Sequence, residues 1–552
     1  MKTALPPAFC RFLAAAVALL ALAASPLRAE EGALPNLAAN GAFTTAGEDP
    51  AWPAAWQKEK DGLMTWETEN GKRFLRLVSQ QPGQYVQVTQ AVPLSPEIKG
   101  IDFAARFRTA NVKFGASFTC DARVRFEFVD AAGAAVKPSP GDAVFDSHAK
   151  DWTVMTRQFL VPEGAAQLRV ALCLNHPASG TLDVSEVRLT KMSQADVDAI
   201  VMAPILAAKK KADDEAEVQR MVVLPPKTEA IKVAGNRLVT AKGTAVQLHG
   251  VNVCSLEWSA KGENIPQSVK VALVDWKANA VRLPVFPGFW FGRGKPPQST
   301  ANDAEAYRKI VDDVVAMAAG QGAYVILDLH RFHAPEDRDV EFWKDAAARY
   351  KNHPAVLFDI FNEAGGISWD VWRNGGEVKD KPKGGAEPRV LFISPGMQGL
   401  VNAVRETGAR NIIIAGGLGS AYSLEGILQG YALDDKGGNG IMYATHFYNW
   451  HRNWEKHFLG LADKYPIFVG EFGADIKKMP FVPAKNQEDP YTWVPDALGM
   501  IQKYNLNWTA FCLHPKSTPV LIKNWNYEPT PFWGDFVKRA LAGERFPMKN
   551  LR

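Results

Sequence analysis

Cysteine is scarce, with five in 552 residues. None forms a C-x-x-C pair or joins a histidine cluster, so neither a disulfide scaffold nor a zinc site is written into the chain. Charge of one sign is also missing, since 63 Lys and Arg stand against 59 Asp and Glu with no basic block. That balance argues against nucleic acid and anionic membrane as partners. No G-x-S-x-G elbow is present, which argues against a serine esterase. No G-x-G-x-x-G follows the first strand of the C-terminal half, which argues against a doubly wound dinucleotide fold. No cofactor and no catalytic metal is expected.

What the chain does have begins at its N-terminus. Lys2 and Arg11 precede the apolar run FLAAAVALLALAA, and SPLRAE follows. This pattern predicts a signal peptide over residues 1–29, cleaved near Ala29, and an exported protein. The run is too short to span a bilayer, so no membrane association is expected of the mature form. Loss of Lys2, Arg11 and Arg28 leaves 60 basic residues against 59 acidic ones, close to neutral.

Residues 30–192 read as β. Segments such as KRFLRLVSQ, QYVQVTQAV, DFAARFRT, VRFEFVD and LRVALCLN alternate with period two between Gly, Pro, Asn and Asp. Seven such strands predict a sandwich or jelly roll. Residues 193–230 carry a dense charge run of helical composition ended by LPPK, and read as a linker. From 231 to 552 the texture is α/β. Eight apolar runs, from AVQLHGVNV to WTAFCLHP, alternate with amphipathic stretches. Fully apolar strands between helices imply a parallel sheet covered on both faces, and eight units of this size predict a (β/α)8 TIM barrel.

In such a barrel the site lies at the C-terminal ends of the strands. Reading those ends in order gives Arg282 in VRLP, Asp328 and His330 in LDLH, and Asn362 and Glu363 in VLFDIFNEAGG. His446 and Tyr448 follow in THFY, and Glu471 in VGEFG. The two glutamates suit glycoside hydrolysis, which uses one carboxyl as proton donor and one as nucleophile or base. The catalytic pair is therefore Glu363 and Glu471. Arg282 and Tyr448 are placed to keep Glu471 ionised, and His446 to assist Glu363. Asn362 is placed to donate to a sugar 2-hydroxyl.

Residues 231–542 resemble the catalytic domain of glycoside hydrolase family 5, the cellulase family. The resemblance rests on RLP, LDLH, IFNE, THFY and GEFG, in that order. It implies a retaining β-glycoside hydrolase with Glu363 as acid/base and Glu471 as nucleophile. Arg282, His330, Asn362, His446 and Tyr448 are implied in support. A β-1,4-glucan or its oligosaccharides is the implied substrate, with β-mannan or another β-linked hexose polymer as the alternative. A non-catalytic carbohydrate-binding protein is the second alternative. The family carries a Trp at the end of strand eight, where this chain has NWTAFCLHP. Phe511 takes that place, with Trp508 three residues earlier and His514 three later. The N-terminal NLAANGAF and PAWPAAW resemble the opening of jelly-roll carbohydrate-binding modules. Trp52, Trp56, Trp66, Tyr85 and Trp152 are candidates to stack on sugar.

Sixteen Trp is a high count, and aromatics line sugar pockets as readily as they fill cores. Trp290, Trp450, Trp508, Phe511 and Trp525 are the candidate substrate-binding aromatics, with packing on the barrel as the other reading. For the histidines the bland reading is a satisfied structural imidazole. For Arg282 it is an ion pair. Cys254 and Cys512 lie on neighbouring strands, and Cys120 and Cys173 share the sandwich, so either pair admits a bridge. Buried, unbonded thiols are the preferred reading of both pairs.

Overall fold

The computed structural model describes residues 34–59, 63–117, 119, 121–294, 301–380 and 387–552. The signal peptide read over 1–29, and Cys120, lie outside the described residues. Two compact units divide at Lys209 and Lys210. That boundary falls inside the helix Gln194–Val222, which occupies the segment of helical composition. Among the described residues no helix is long and apolar enough to cross a membrane.

The first unit holds two antiparallel sheets. One has five strands, in the order Met64–Glu69, Lys72–Ser79, Ser179–Lys191, Gly100–Lys113 and Thr153–Leu160. The other has six, built around Tyr85–Pro93, Gln167–Asn175 and Ala122–Val129. Inward residues such as Leu75, Val88, Phe103, Val124, Leu172 and Leu182 form one buried core. The alternation visible in the sequence is thus the two faces of these strands. Met64–Glu69 escaped that reading because MTWETE offers few apolar residues.

The second unit is a closed barrel of eight parallel strands. They are β1 (His249–Asn252), β2 (Ala280–Val285), β3 (Tyr324–Leu329), β4 (Val356–Asp359), β5 (Ile413–Gly416), β6 (Ile441–Tyr448), β7 (Ile467–Gly473) and β8 (Asn507–Ala510). Closure is made by β8 on β1, with His249 opposite Trp508 and Val251 opposite Ala510. Seven of the eight strands lie within the eight apolar runs, and β8 begins one residue before its run, at Asn507. The first run is split, because Ala245–Val246 joins a separate small sheet with Ile231–Ala234 and Arg237–Thr240.

Alternation sorts the barrel residues into two sets. Val281, Leu283, Val325, Leu327 and Phe358 belong to the large core shared with the helices. Ala280, Ile326, Leu357, Ile414, Met442 and Phe468 fill the interior together with Ile231 and Leu238 of the small sheet. One layer above them the inward positions turn polar, at Arg282, Asp328 and Asp359. Apolar filling below and charge above is what aims the chemistry at the C-terminal mouth.

Candidate active site

Arg282 stands at the centre of that polar layer and is fully buried. Its Nε donates to Asp359 Oδ2 at 2.9 Å. Its Nη1 donates to Asn252 Oδ1 at 3.0 Å and to Glu471 Oε1 at 2.9 Å. Its Nη2 donates to Asn362 Oδ1 at 2.8 Å and lies 3.1 Å from Asp328 Oδ1. One planar fork thus ties β1, β2, β3, β4 and β7 together. Burial opposes the guanidinium charge, but Asp328, Asp359 and Glu471 outweigh it and hold the charge firmly.

Glu471 receives two donors. Arg282 takes Oε1, and the Tyr448 hydroxyl donates to Oε2 at 2.5 Å. Burial alone would raise its pKa. His446, Arg282, His330 and the Tyr448 hydrogen bond reverse that and hold the carboxyl well below the usual range. Burial, with Glu471 and Glu363 nearby, pushes the Tyr448 phenol up, so it stays a donor. Glu471 is therefore ionised at neutral pH.

Glu363 lies across the mouth, half-buried, with its Oε1 3.2 Å from His446 Nδ1. One oxygen of Glu363, one of Glu471 and a nitrogen of His446 all lie within 4.8 Å of one another. These donor atoms are close enough to share a cation. Yet a cation there would face the buried Arg282 guanidinium, which already neutralises Glu471. The set suits proton transfer and nucleophilic attack better than metal binding. Asn362 Nδ2 is buried and has no protein partner among the described residues. It is a donor left over for a ligand. After Glu363 the backbone leaves the mouth through Gly366, at φ 73°.

His330 pairs through Nδ1 with Asp328 Oδ2 at 2.8 Å. Burial works against its charge, but Asp328 outweighs burial, and its pKa rises from 6.5 to about 9. An imidazolium therefore faces the cleft at neutral pH.

The cleft has two lobes. One, of about 450 Å³, contains Glu363, Glu471, Tyr448, Trp450, Ser420 and Phe481. The other, of about 370 Å³, contains Glu257, Trp258, Phe286, Arg331 and Ser517. His330, Phe332 and Phe511 line both lobes.

All seven residues read as catalytic or supporting converge on this mouth. Of the five candidate aromatics, Trp450 and Phe511 line the cleft. Trp290 does not, because its indole is fully buried against Phe342 and donates to Asp345 Oδ1 at 2.6 Å. Trp508 does not either, because it is buried against Phe472 on the helix-facing side of β8. Trp525 packs edge-on to His514, away from the lining of both lobes. Spacing along a loop cannot tell a rim aromatic from one folded under it.

Sequence reasoning passed over Asn252, Asp359, Glu257, Phe332 and Phe481. Asp359 was readable as the one acid in an apolar strand, two residues before Phe361 and on the inward side. Phe481 carried no periodic signal, since it sits in an irregular loop after β7. In the first unit Trp52 and Trp56 are buried core residues rather than surface platforms. Trp66 is half-buried under the Arg73 guanidinium, and Trp152 under that of Arg108. Cys173, Cys254 and Cys512 are free and buried.

A model of the family described as "Cellulase (glycosyl hydrolase family 5)" matches residues 239–517. Endoglucanase E-5 of Thermobifida fusca is 25% identical over 257 residues, covering 44% of this chain and 48% of that protein. Endoglucanase A of Butyrivibrio fibrisolvens is 27% identical over 256 residues, covering 44% and 52%. The chain thus spans about half the length of these relatives. Among solved structures, β-glucanase SdGluc5_26A from Saccharophagus degradans aligns with a TM-score of 0.45 at 21% identity, covering 57% of this chain and 94% of that one.

Proposed function

Since the chain belongs to the cellulase family, glycosyl hydrolase family 5, through residues 239–517, we propose that it hydrolyses β-linked glucans or their oligosaccharides with retention of configuration. One observation carries the stereochemistry. Carboxylate oxygens of Glu363 and Glu471 approach within 4.8 Å. Retaining enzymes hold the pair about 5–5.5 Å apart, whereas inverting ones leave roughly 6.5–9.5 Å for a water. The endoglucanase names of the relatives favour a β-glucan.

In the first step a Glu471 oxygen attacks the anomeric carbon as the glycosidic C–O bond breaks. The Glu363 proton passes to the departing oxygen. The Arg282 and Tyr448 bonds keep Glu471 ionised and aimed, and Asn362 Nδ2 donates to the 2-hydroxyl as charge develops. In the second step water attacks the same carbon, Glu363 takes its proton, and the Glu471 carboxylate departs. His446, touching Glu363 and 3.8 Å from Glu471 Oε2, couples the two carboxyls. Phe511 gives the sugar an aromatic face without an indole N–H.

Proton NMR of the first product formed from a soluble cello-oligosaccharide tests this. The β-anomer appears first if the reading holds, and an initial α-anomer overturns it. Glu471→Gln should cost about a thousandfold or more in kcat with the fold intact. Faster hydrolysis of a β-mannan than of a β-glucan would move the substrate to the mannan alternative. Export with cleavage near Ala29 remains part of the proposal, supported by the leader composition, and the first residue of the secreted chain tests it.

A further inference from the structure

β4 ends at Asp359, and Glu363 is carried beyond it. There Glu363–Ala364 pairs in parallel with Phe332–His333, a two-stranded ribbon separate from the barrel sheet. Three N–H groups fix its register. Asn362 donates to Leu329 O at 3.1 Å, Glu363 to Arg331 O at 3.1 Å and Gly365 to His333 O at 2.9 Å. His333 Nδ1 lies 2.8 Å from Gly365 O and closes the far end. His333 also holds a left-handed φ of 82°. A residue other than glycine keeps that conformation only where its surroundings impose it. The backbone of Glu363 is thus placed by residues 331–333.

Those residues are held in turn by the helix Asp337–Arg349. Arg331 reaches to its first turn, with Nη2 donating to Glu336 Oε1 at 2.5 Å and Nε 3.3 Å from Asp339 Oδ1. Glu336 shares that oxygen with Arg338, whereas Asp339 is fully buried. Asp339 Oδ2 accepts the Glu336 N–H at 2.9 Å, a capping bond that fixes the carboxylate. Burial pushes the Asp339 pKa up to about 6 against the pull of Arg331, so the carboxyl is ionised at neutral pH. Loss of either charge would leave the other uncompensated where water is scarce. The same helix grips the segment leading to Glu363, since Trp343 Nε1 donates to Ile360 O at 2.9 Å. One helix therefore ties down both strands of the ribbon.

Resting on the hydrolase reading above, we propose that Arg331 is the positioning residue of the proton donor Glu363, and that the buried Asp339 carboxylate is its anchor. The Arg331 carbonyl takes the Glu363 N–H, and its guanidinium keeps that carbonyl in place. Arg331 also lines the second lobe of the cleft, but Asp339 lines neither lobe. An effect of Asp339 on the reaction must therefore pass through other residues.

Demand for a proton separates this role from a general loss of structure. A sugar hydroxyl leaving from cellotetraose needs the Glu363 proton, whereas the phenolate of a dinitrophenyl β-cellobioside leaves without one. The full chain is assayed on both substrates as wild type, Glu363→Ala, Arg331→Ala, Arg331→Lys and Asp339→Asn, each with its melting temperature. Arg331→Ala should lower kcat/KM on cellotetraose about ten- to a hundredfold. The aryl substrate should stay near its wild-type value. Arg331→Lys should recover part of the loss, because it keeps a cation for Asp339 but not the fork. Asp339→Asn, which keeps the shape and the capping bond, should reproduce the selective loss. Equal losses on the two substrates in Arg331→Ala, or none, overturn the positioning role. A wild-type substrate ratio in Asp339→Asn, whatever its melting temperature, overturns the anchor. Glu363→Ala is the reference, and an equal loss there on both substrates would remove Glu363 as the acid. If the wild type hydrolyses neither substrate, the hydrolase reading itself falls. Both of these results are distinct from a failure at Arg331 or Asp339.

Discussion

Arg282 is a charge enclosed by protein on every side, and five side chains share it. Burying a guanidinium costs several kcal/mol unless its donors are all met. The carboxylates that meet them make up an acid-rich layer, and that layer in turn sets His330. Its pKa is raised from 6.5 to about 9, because Asp328 outweighs burial. The consequence for stability has a definite sign. The unfolded imidazole loses its proton near 6.5 and the folded one near 9, so the folded state holds the extra proton between them. The contribution is fully present below pH 6.5 and is lost as pH rises through about 9. It amounts to roughly 3 kcal/mol. Glu471 works in the opposite window. Its lowered pKa contributes stability above the ordinary value of 4.5, which is lost as pH falls through the folded value. Urea denaturation at pH 6 and pH 9.5 should show wild type losing more stability than His330→Asn over that rise. Equal losses would remove the Asp328–His330 pair from the account.

At the scale of elements, β7 is the strand that matters most. Its register against β6 slips between Thr445 and His446, so that Thr445 faces Val469 but His446 faces Glu471. Gly470 is the extra residue. Without this bulge, simple alternation would turn Glu471 away from the side that Phe468 occupies. The bulge re-aims the carboxylate into the mouth beside His446. Glycine is needed there because a Cβ on residue 470 would lie 2.7 Å from His446 Nε2. That imidazole is buried and contacts Glu363, so it has little room to retreat. Gly470→Ala should therefore lower kcat by about a hundredfold through displacement of His446. The barrel should stay folded, as read by circular dichroism. A kcat equal to wild type would show that His446 moves freely.

At the scale of the whole molecule, the chain has separate buried cores in its two units. The helix Gln194–Val222 contains the boundary between them. Its last turns belong to the barrel, since Val218 and Met221 are buried in the barrel core. A chain beginning at Lys210 should hydrolyse short soluble oligosaccharides with kcat/KM within about threefold of the full chain. A chain beginning at Val223 should melt lower, having lost two buried side chains worth about 1.5–3 kcal/mol each. Equal melting temperatures for the two truncations would show that the helix end contributes nothing. If the first unit binds carbohydrate, only retention on insoluble glucan should fall in the Lys210 chain. Its aromatics offer less open ring than their number suggests, because Trp52 and Trp56 are core residues.

The sequence by itself determined the class of fold and brought out two strand-ending carboxylates, Glu363 and Glu471, as the proposed catalytic pair. Eight apolar strands need cover on both faces, and a period repeated eight times closes on itself. A carboxylate that ends an apolar strand needs a partner or a role at the mouth, which is why Glu363 and Glu471 stood out from their strands. The tertiary structure alone decided which partners meet them. Asn252 and Asp359 join Arg282 only because neighbouring strands bring inward positions to one height. The Gly470 bulge arises from pairing with β6, which no local pattern announces. Aromatic roles were the least legible, for a physical reason. An indole gains free energy from burial in a core and from stacking on a sugar alike, so Trp290, Trp508 and Trp525 looked no different from Trp450. What separates them is the path of the loops, which only the tertiary structure fixes.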